Sequence, residues 1–289
     1  MSNEHEIDSV TGTSTTGHSW DGIRELNTPL PRWWLWMFYI SIVWSIGYWV
    51  VYPSWPLLSS YSQGVWAWQS RGAVVQDLEA LKSQRGPMMD RLATASLQEI
   101  MGDAKLVDFA RALGKPSFGD NCAACHGAGG GGAKGYPNLN DDDWLWGGKV
   151  DDIAFTIRHG IRSTADDTRQ SMMPSFGRDG ILKPAEISAA AGYVRSLTNL
   201  PTKQDIALGK KVFADNCVAC HGADGKGKRE FGAPNLADAI WLFGSNEETL
   251  IETITNGRNG VMPTWAGRLD NVTVKALAIY VHTLGGGER

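Results

Sequence analysis

From Trp33 to Tyr52 the chain reads WWLWMFYISIVWSIGYWVVY, with nothing more polar than Ser41, Ser45 and the tyrosine hydroxyls. At about 1.5 Å per residue such a helix covers roughly 30 Å, the thickness of a bilayer's hydrocarbon core. The pattern predicts one transmembrane helix over 33–52, ended by Pro53 and Pro56. A buried helix of a soluble domain would show a polar face within that length. A cleavable leader is disfavoured because the apolar run is long, 32 mostly polar residues precede it and no small-residue cleavage pattern follows. Tryptophans and tyrosines crowd both ends, where amphipathic rings sit at headgroup level. Beyond the span, residues 53–104 read as a linker with amphipathic helices over Val74–Leu81 and Met89–Met101.

The rest of the chain repeats itself. KPSFGDNCAACHG at Lys115–Gly127 answers KKVFADNCVACHG at Lys210–Gly222, an offset of 95. PNLNDDDWLWGG at Pro137–Gly148 answers PNLADAIWLFGS at Pro234–Ser245, an offset of 97, as do TIRHG at Thr156 and TITNG at Thr253. MPSF at Met173 answers MPTW at Met262, and YVRSL at Tyr193 answers YVHTL at Tyr280, at offsets of 89 and 87. Constant order with drifting offsets describes a duplicated module, 105–200 and 201–289. Each copy is small for a core of its own, so each is expected to fold around something.

Charge sharpens this division. The 289 residues carry 27 basic and 31 acidic groups, a net charge of −4, which disfavours a nucleic-acid partner. Residues 105–201 balance at eleven against eleven and 202–289 at ten against ten, whereas 1–32 hold only Arg24 and Arg32 against five acidic groups. No charged residue stands between Trp33 and Ser70, and eight of the 13 tryptophans fall from Trp33 to Trp68. The basic groups flanking the span, Arg24 and Arg32 against Arg71, favour a cytoplasmic N-terminal tail over 1–32.

All four cysteines lie in two C-x-x-C-H motifs, Cys122-Cys125-His126 and Cys217-Cys220-His221, the pattern of covalent c-type haem attachment. On a helix the two sulfurs share a face, where they can form thioethers, and the histidine at i+4 lies over that face as an iron ligand. A zinc site would bring the cysteine pairs closer along the chain, and a thioredoxin-like pair needs a βαβ setting that neither copy offers. Methionine opposite histidine raises the potential of haem iron. Met173 and Met262, each followed by proline, are the aligned candidates; Met172 has no counterpart, since Val261 stands there. His159 and His282 could give bis-histidine ligation, but Asn256 and Arg195 hold the aligned places. Chain order leaves open which methionine serves which iron. The carbonyls of Pro137 and Pro234 are candidate partners for the histidines' second ring nitrogens. The glycine runs Gly127–Gly132 and Gly222–Gly227 suit loops folded closely at a haem edge. Asp141–Asp143 reads as a solvated loop or helix start, and Lys226, Lys228 and Arg229 as a solvated turn or a docking patch.

NTPLPRWW (Asn27–Trp34), YPSWP (Tyr52–Pro56), GDNCAACHG, PNLNDDDWLWGG and GVMPTWAGRL together resemble the dihaem FixP/CcoP subunit of cbb3-type cytochrome c oxidases over nearly the whole chain. The resemblance implies an all-α protein with one N-terminal transmembrane helix followed by two tandem cytochrome c-like domains. It implies two covalently bound haem c groups, at Cys122 and Cys125 and at Cys217 and Cys220, with His126, His221, Met173 and Met262 as axial ligands. It further implies an electron-transfer subunit without catalysis of its own. Such a subunit takes electrons from a soluble or membrane donor cytochrome c and passes them to the monohaem cytochrome subunit and the catalytic haem-copper subunit, where oxygen is reduced and protons are pumped. The location implied is the bacterial inner membrane, with the haem domains periplasmic and membrane lipid around the anchor. Two rival readings fit the same motifs. One is a dihaem peroxidase with an open iron; the other is a tethered cytochrome serving a dehydrogenase or nitrite reductase.

Overall fold

A computed structural model describes residues 6–289, and the chain divides into two compact units, one ending at Gln84 and one spanning Arg85–Arg289. In the first, strands β1 (Thr15–Trp20) and β2 (Ile23–Leu26) pair antiparallel, with Trp20 opposite Ile23. The turn between them is Asp21-Gly22, both at positive φ (53° and 85°), the geometry that matches the twist of a tight hairpin. The charge imbalance of residues 1–32 carries no trace of this Asp-Gly hairpin signal.

Helix α1 (Arg32–Val51) is the candidate span, and none of its residues is buried. Its two serine hydroxyls are satisfied within the helix: Ser41 donates to the Phe38 carbonyl at 2.7 Å and Ser45 to that of Ser41 at 2.8 Å. Helix α2 (Ser70–Thr94) contains Pro87, and the division between the units falls just before it. The helix expected over Met89–Met101 is interrupted. Ser96 and Glu99 form a capping box that starts α3 (Leu97–Gly102) afresh, since each satisfies a backbone N–H the other end of the turn leaves free.

The second unit is helical. Helix α4 (Ala104–Asn121), capped by Asp103, runs into the single turn α5 (Ala123–His126), and α6 (Val150–His159) and α7 (Pro184–Leu197) follow. The second copy supplies α8 (Ile206–Asn216), the single turn α9 (Val218–His221), α10 (Glu247–Asn256) and α11 (Asn271–His282). Asp205, Asn246 and Asp270 cap α8, α10 and α11 with their side chains.

These helices form two cores that do not follow the order of the copies. The first joins Phe118 of α4 and Ile153 and Ile157 of α6 to Leu277, Ile279 and Val281 of α11. The second joins Ile187 and Val194 of α7 to Val212 and Phe213 of α8 and Leu250 and Ile254 of α10. Each core has one close helix crossing at a glycine: a side chain at Gly114 would run into the Ala276 carbonyl, and one at Gly209 into that of Ala189. An aromatic pair flanks each crossing, Phe118 with Tyr280 at 5.4 Å and Tyr193 with Phe213 at 5.2 Å. The last helix of the second copy therefore closes the first core. The consecutive boundaries 105–200 and 201–289 describe the sequence copies, whereas packing exchanges their final helices. Either helix carries the apolar pattern that either core needs.

Candidate haem-binding sites

Each C-x-x-C-H motif sits where a long helix ends. Cys122 closes α4 and Cys217 closes α8, each N–H donating 2.8 Å back to a phenylalanine carbonyl, Phe118 or Phe213. The next turn carries the second cysteine and the histidine, and a glycine stops it. Gly127 (φ 80°, ψ 153°) and Gly222 (φ 76°, ψ 158°) adopt a conformation that is essentially restricted to glycine. The glycine runs then fold back: Gly132 donates to the His126 carbonyl and Gly227 to that of His221, both at 2.8 Å.

His126 Nδ1 lies 3.0 Å from the Pro137 carbonyl and His221 Nδ1 3.1 Å from that of Pro234. A carbonyl only accepts, so Nδ1 carries the proton and Nε2 keeps its lone pair for a metal. Burial lowers the pKa of His221, despite the opposing pull of the Pro234 hydrogen bond, which favours the neutral ligand form. None of the four cysteines is paired in a disulfide. Burial, reinforced by the second cysteine of each motif, pushes Cys122 and Cys217 up to about 11. A thioredoxin-like pair requires the opposite shift.

The methionines are crossed. Met262 pairs with Ile161 just after α6, through N–H···O bonds of 2.9 and 3.0 Å, and packs on the first core, as Cys122 does. Met173 packs on the second core with Cys217 and Trp241, its backbone held by the Asn259 side chain at 3.0 and 3.3 Å. Gly160 and Gly257 make these approaches possible; a side chain at either would strike the Met262 or Met173 carbonyl. Met262 thus shares a core with the motif of His126, and Met173 with that of His221. Met172 points away, 69% exposed.

The rival ligands are engaged elsewhere. His159, the last residue of α6, lies 4.4 Å from Phe155. His282 ends α11 and its Nε2 meets the Glu288 carbonyl at 2.7 Å. Arg195, at the aligned place in α7, likewise holds a backbone carbonyl, that of Pro201, at 2.8 Å. Both side chains tie down the segment after a helix. Among the described residues no three His, Cys, Asp or Glu side chains converge as around one metal ion. The donor set in each core fits haem c: two cysteine sulfurs on one helical turn, an imidazole anchored through Nδ1 and a thioether on the same core.

Sequence reading missed the residues where the copies meet. Gly135 donates 2.8 Å to the Leu242 carbonyl and lies against the Phe243 ring, while Gly232, at the equivalent place, lies against Trp146. A cavity of about 440 Å³ here is lined by both histidine-anchoring prolines, Pro137 and Pro234, with Tyr136, Leu145, Trp241 and Phe243. Arg169 and Arg258, each four residues before a ligand candidate, cover these rings; Arg169 is 5.3 Å from Trp146 and Arg258 4.3 Å from Phe243. The doubled R-x-x-x-M spacing was the signal available for them. Asp141–Asp143 is a loop rather than a helix start, and Arg229 pairs with Glu288.

Comparison with known proteins adds three family matches. The N-terminal domain of cytochrome oxidase-cbb3, FixP, matches residues 12–59; cytochrome c matches 112–198; and cytochrome c oxidase, cbb3-type, subunit III matches 204–281. The chain is 61% identical to the cbb3-type cytochrome c oxidase subunit FixP of Bradyrhizobium sp. (strain ORS 278), with 100% of both chains covered. It is 58% identical to subunit FixP of Bradyrhizobium diazoefficiens, again over 100% of both. It is 48% identical to subunit CcoP of Azospirillum brasilense over 99% of each.

Proposed function

The chain belongs to the FixP/CcoP family of cbb3-type cytochrome c oxidase subunits, and from that premise we propose that it is a two-haem electron wire with crossed axial ligands. Membership makes it a membrane-associated subunit of an electron-transferring complex with c-type haem and the complex's other subunits as partners. Cys122 and Cys125 would hold one haem, with His126 and Met262 as the residues that ligate its iron. Cys217 and Cys220 would hold the other, with His221 and Met173 as its ligands. The observation that carries the pairing is the packing of each methionine on the core opposite to its place in the sequence.

Bound haem iron supplies one-electron chemistry, cycling between ferrous and ferric. The chain's residues set its terms. The Pro137 and Pro234 carbonyls fix the tautomer and orientation of the histidines. With haem bound, Met173 and Met262 would donate their thioether sulfurs to iron, which would raise its potential and leave it no position for substrate. Electrons enter from a donor cytochrome c and leave toward the monohaem and catalytic haem-copper subunits, with the haem modules periplasmic, α1 spanning the inner membrane and residues 53–104 linking the two.

Two double variants test the crossed pairing, each scored as the methionine–iron charge-transfer band per attached haem. His126→Gly with Met262→Leu damages one site only, so half the band is expected to remain. His221→Gly with Met262→Leu damages both, and the band is expected to vanish. The reverse outcome would establish pairing in chain order. A high-spin, peroxide-reactive haem in the unaltered protein would overturn the wire itself.

A further inference from the structure

Helix α1 ends at Val51, yet the chain stays free of charge through Ser70. The segment between is folded back on the helix. Val65 and Trp66 donate to the Val50 and Val51 carbonyls at 2.9 and 3.2 Å, satisfying acceptors that a helix C-terminus leaves open. Gly64, at φ +70°, permits the approach, since a side chain there would overlap the Val51 carbonyl. Within the segment Ser62 donates to the Trp55 carbonyl at 2.9 Å, Leu57 to that of Ser60 at 2.7 Å, and Trp55 to the Ser62 hydroxyl at 3.0 Å. The rings of α1 and the segment interlock, Trp49 with Trp55 at 4.7 Å and Tyr52 with Trp66 at 5.1 Å. The other face is apolar and open: Leu58 is fully exposed, Val65 74% and Leu57 59%.

An apolar patch of this kind needs an occupant. Three features favour lipid over a protein partner. The patch continues directly from the candidate span, so one solvent covers both. Its strand-like turn satisfies much of its own backbone, as a membrane environment demands. It also lacks the charged rim that fixes the register of a protein interface, while its tryptophans and tyrosines are the residues that settle at headgroup level. We propose that residues 52–68 form an interfacial foot. It lies in the headgroup–acyl boundary of the leaflet where α1 ends, and fixes the depth at which the chain leaves the membrane. The proposal rests on α1 being a span.

Nitroxide labels at Leu58→Cys, Val43→Cys and Gln76→Cys, in the full-length haem-loaded chain in lipid nanodiscs, test it by collision with oxygen and with a water-soluble nickel chelate. Oxygen is expected to dominate at Val43, nickel at Gln76, and oxygen again at Leu58 but at a shallower depth than Val43. Nickel dominance at Leu58 with oxygen dominance at Val43 would leave the span standing and overturn the foot. Nickel dominance at Val43 would remove the span and the foot with it. Loss of access to both reagents at Leu58 in the intact oxidase would assign the patch to another subunit and refute lipid as its occupant.

Discussion

Leu277→Ala tests the exchange of helices without reference to haem. Leu277 lies on α11, in the second sequence copy, fully buried in the first core. Truncating a buried leucine to alanine costs about 2–5 kcal/mol, the spread reflecting how far the site can collapse. At about 1.4 kcal/mol per tenfold, openings that expose this core become roughly 30-fold to several thousand-fold more frequent. Hydrogen exchange followed by peptide mass spectrometry reads where. Faster exchange is expected in α4 and α6, from the other copy, with α8 and α10 unchanged, because sub-global openings follow packed units rather than chain order. Ile187→Ala on α7, a residue of the second core, is the mirror case. It is expected to loosen α8 and α10 and leave α4 and α6 protected. Leu277→Ala loosening α8 and α10 with α4 untouched would refute the exchanged packing.

Gly160→Ala and Gly257→Ala place a side chain on backbone at φ 73°, ψ −172° and φ 68°, ψ 172°, a region that costs about 1–3 kcal/mol, and against the loop that carries Met262 or Met173. Each is expected to lower the melting temperature of the holoprotein by several degrees and remove the methionine–iron band from one haem; an unchanged spectrum would show that these loops do not carry ligands. Asp143 is pushed up to about 6 by burial and by Asp238, Asp141 and Asp142, against Arg229. A carboxyl that binds its proton more tightly when folded contributes stability that is fully present below about pH 4 and is lost as pH rises through about 6. Asp143→Asn is therefore expected to flatten thermal stability across that window. With solvent screening the gain at pH 7 is about 1 kcal/mol, or about 2–4 °C; a steeper pH profile in the variant would contradict the assignment.

The local features of both sites were legible because each rests on short-range chemistry. Two C-x-x-C-H turns, PNL segments eleven and thirteen residues beyond their histidines, and H-G and N-G endings on α6 and α10 each appear twice in the sequence. The Ser96–Glu99 capping box and the Asp21-Gly22 turn are equally local signals, the first masked by an apolar rhythm that runs across it, the second by the charge imbalance of its segment. The crossed packing of the two methionines was illegible for a different reason. YVRSL and YVHTL put an aromatic ring and apolar residues at the same helical positions, so pattern alone cannot say which helix closes which core.

Connection length could have said so. Only residues 198–205 separate α7 from α8, and helices joined by a short loop tend to pack as neighbours. Once α7 lies on α8, it is unavailable to α4, and the remaining equivalent helix, α11, takes that place. Continuity then sorts the molecule differently from the duplication. Met173 through α10 is one uninterrupted stretch, set between the two pieces of the first core. The crossing in the second core joins Ala189 to Gly209, 20 residues apart, whereas that in the first joins Gly114 to Ala276, 162 apart. Closing the longer loop costs about 2 kcal/mol more in chain entropy, and local contacts form first. During refolding of the haem-attached chain, pulsed hydrogen exchange is therefore expected to protect α7 and α8 before α4 and α11. Simultaneous protection of all four would mean that the attached haems, not chain connectivity, nucleate the two cores.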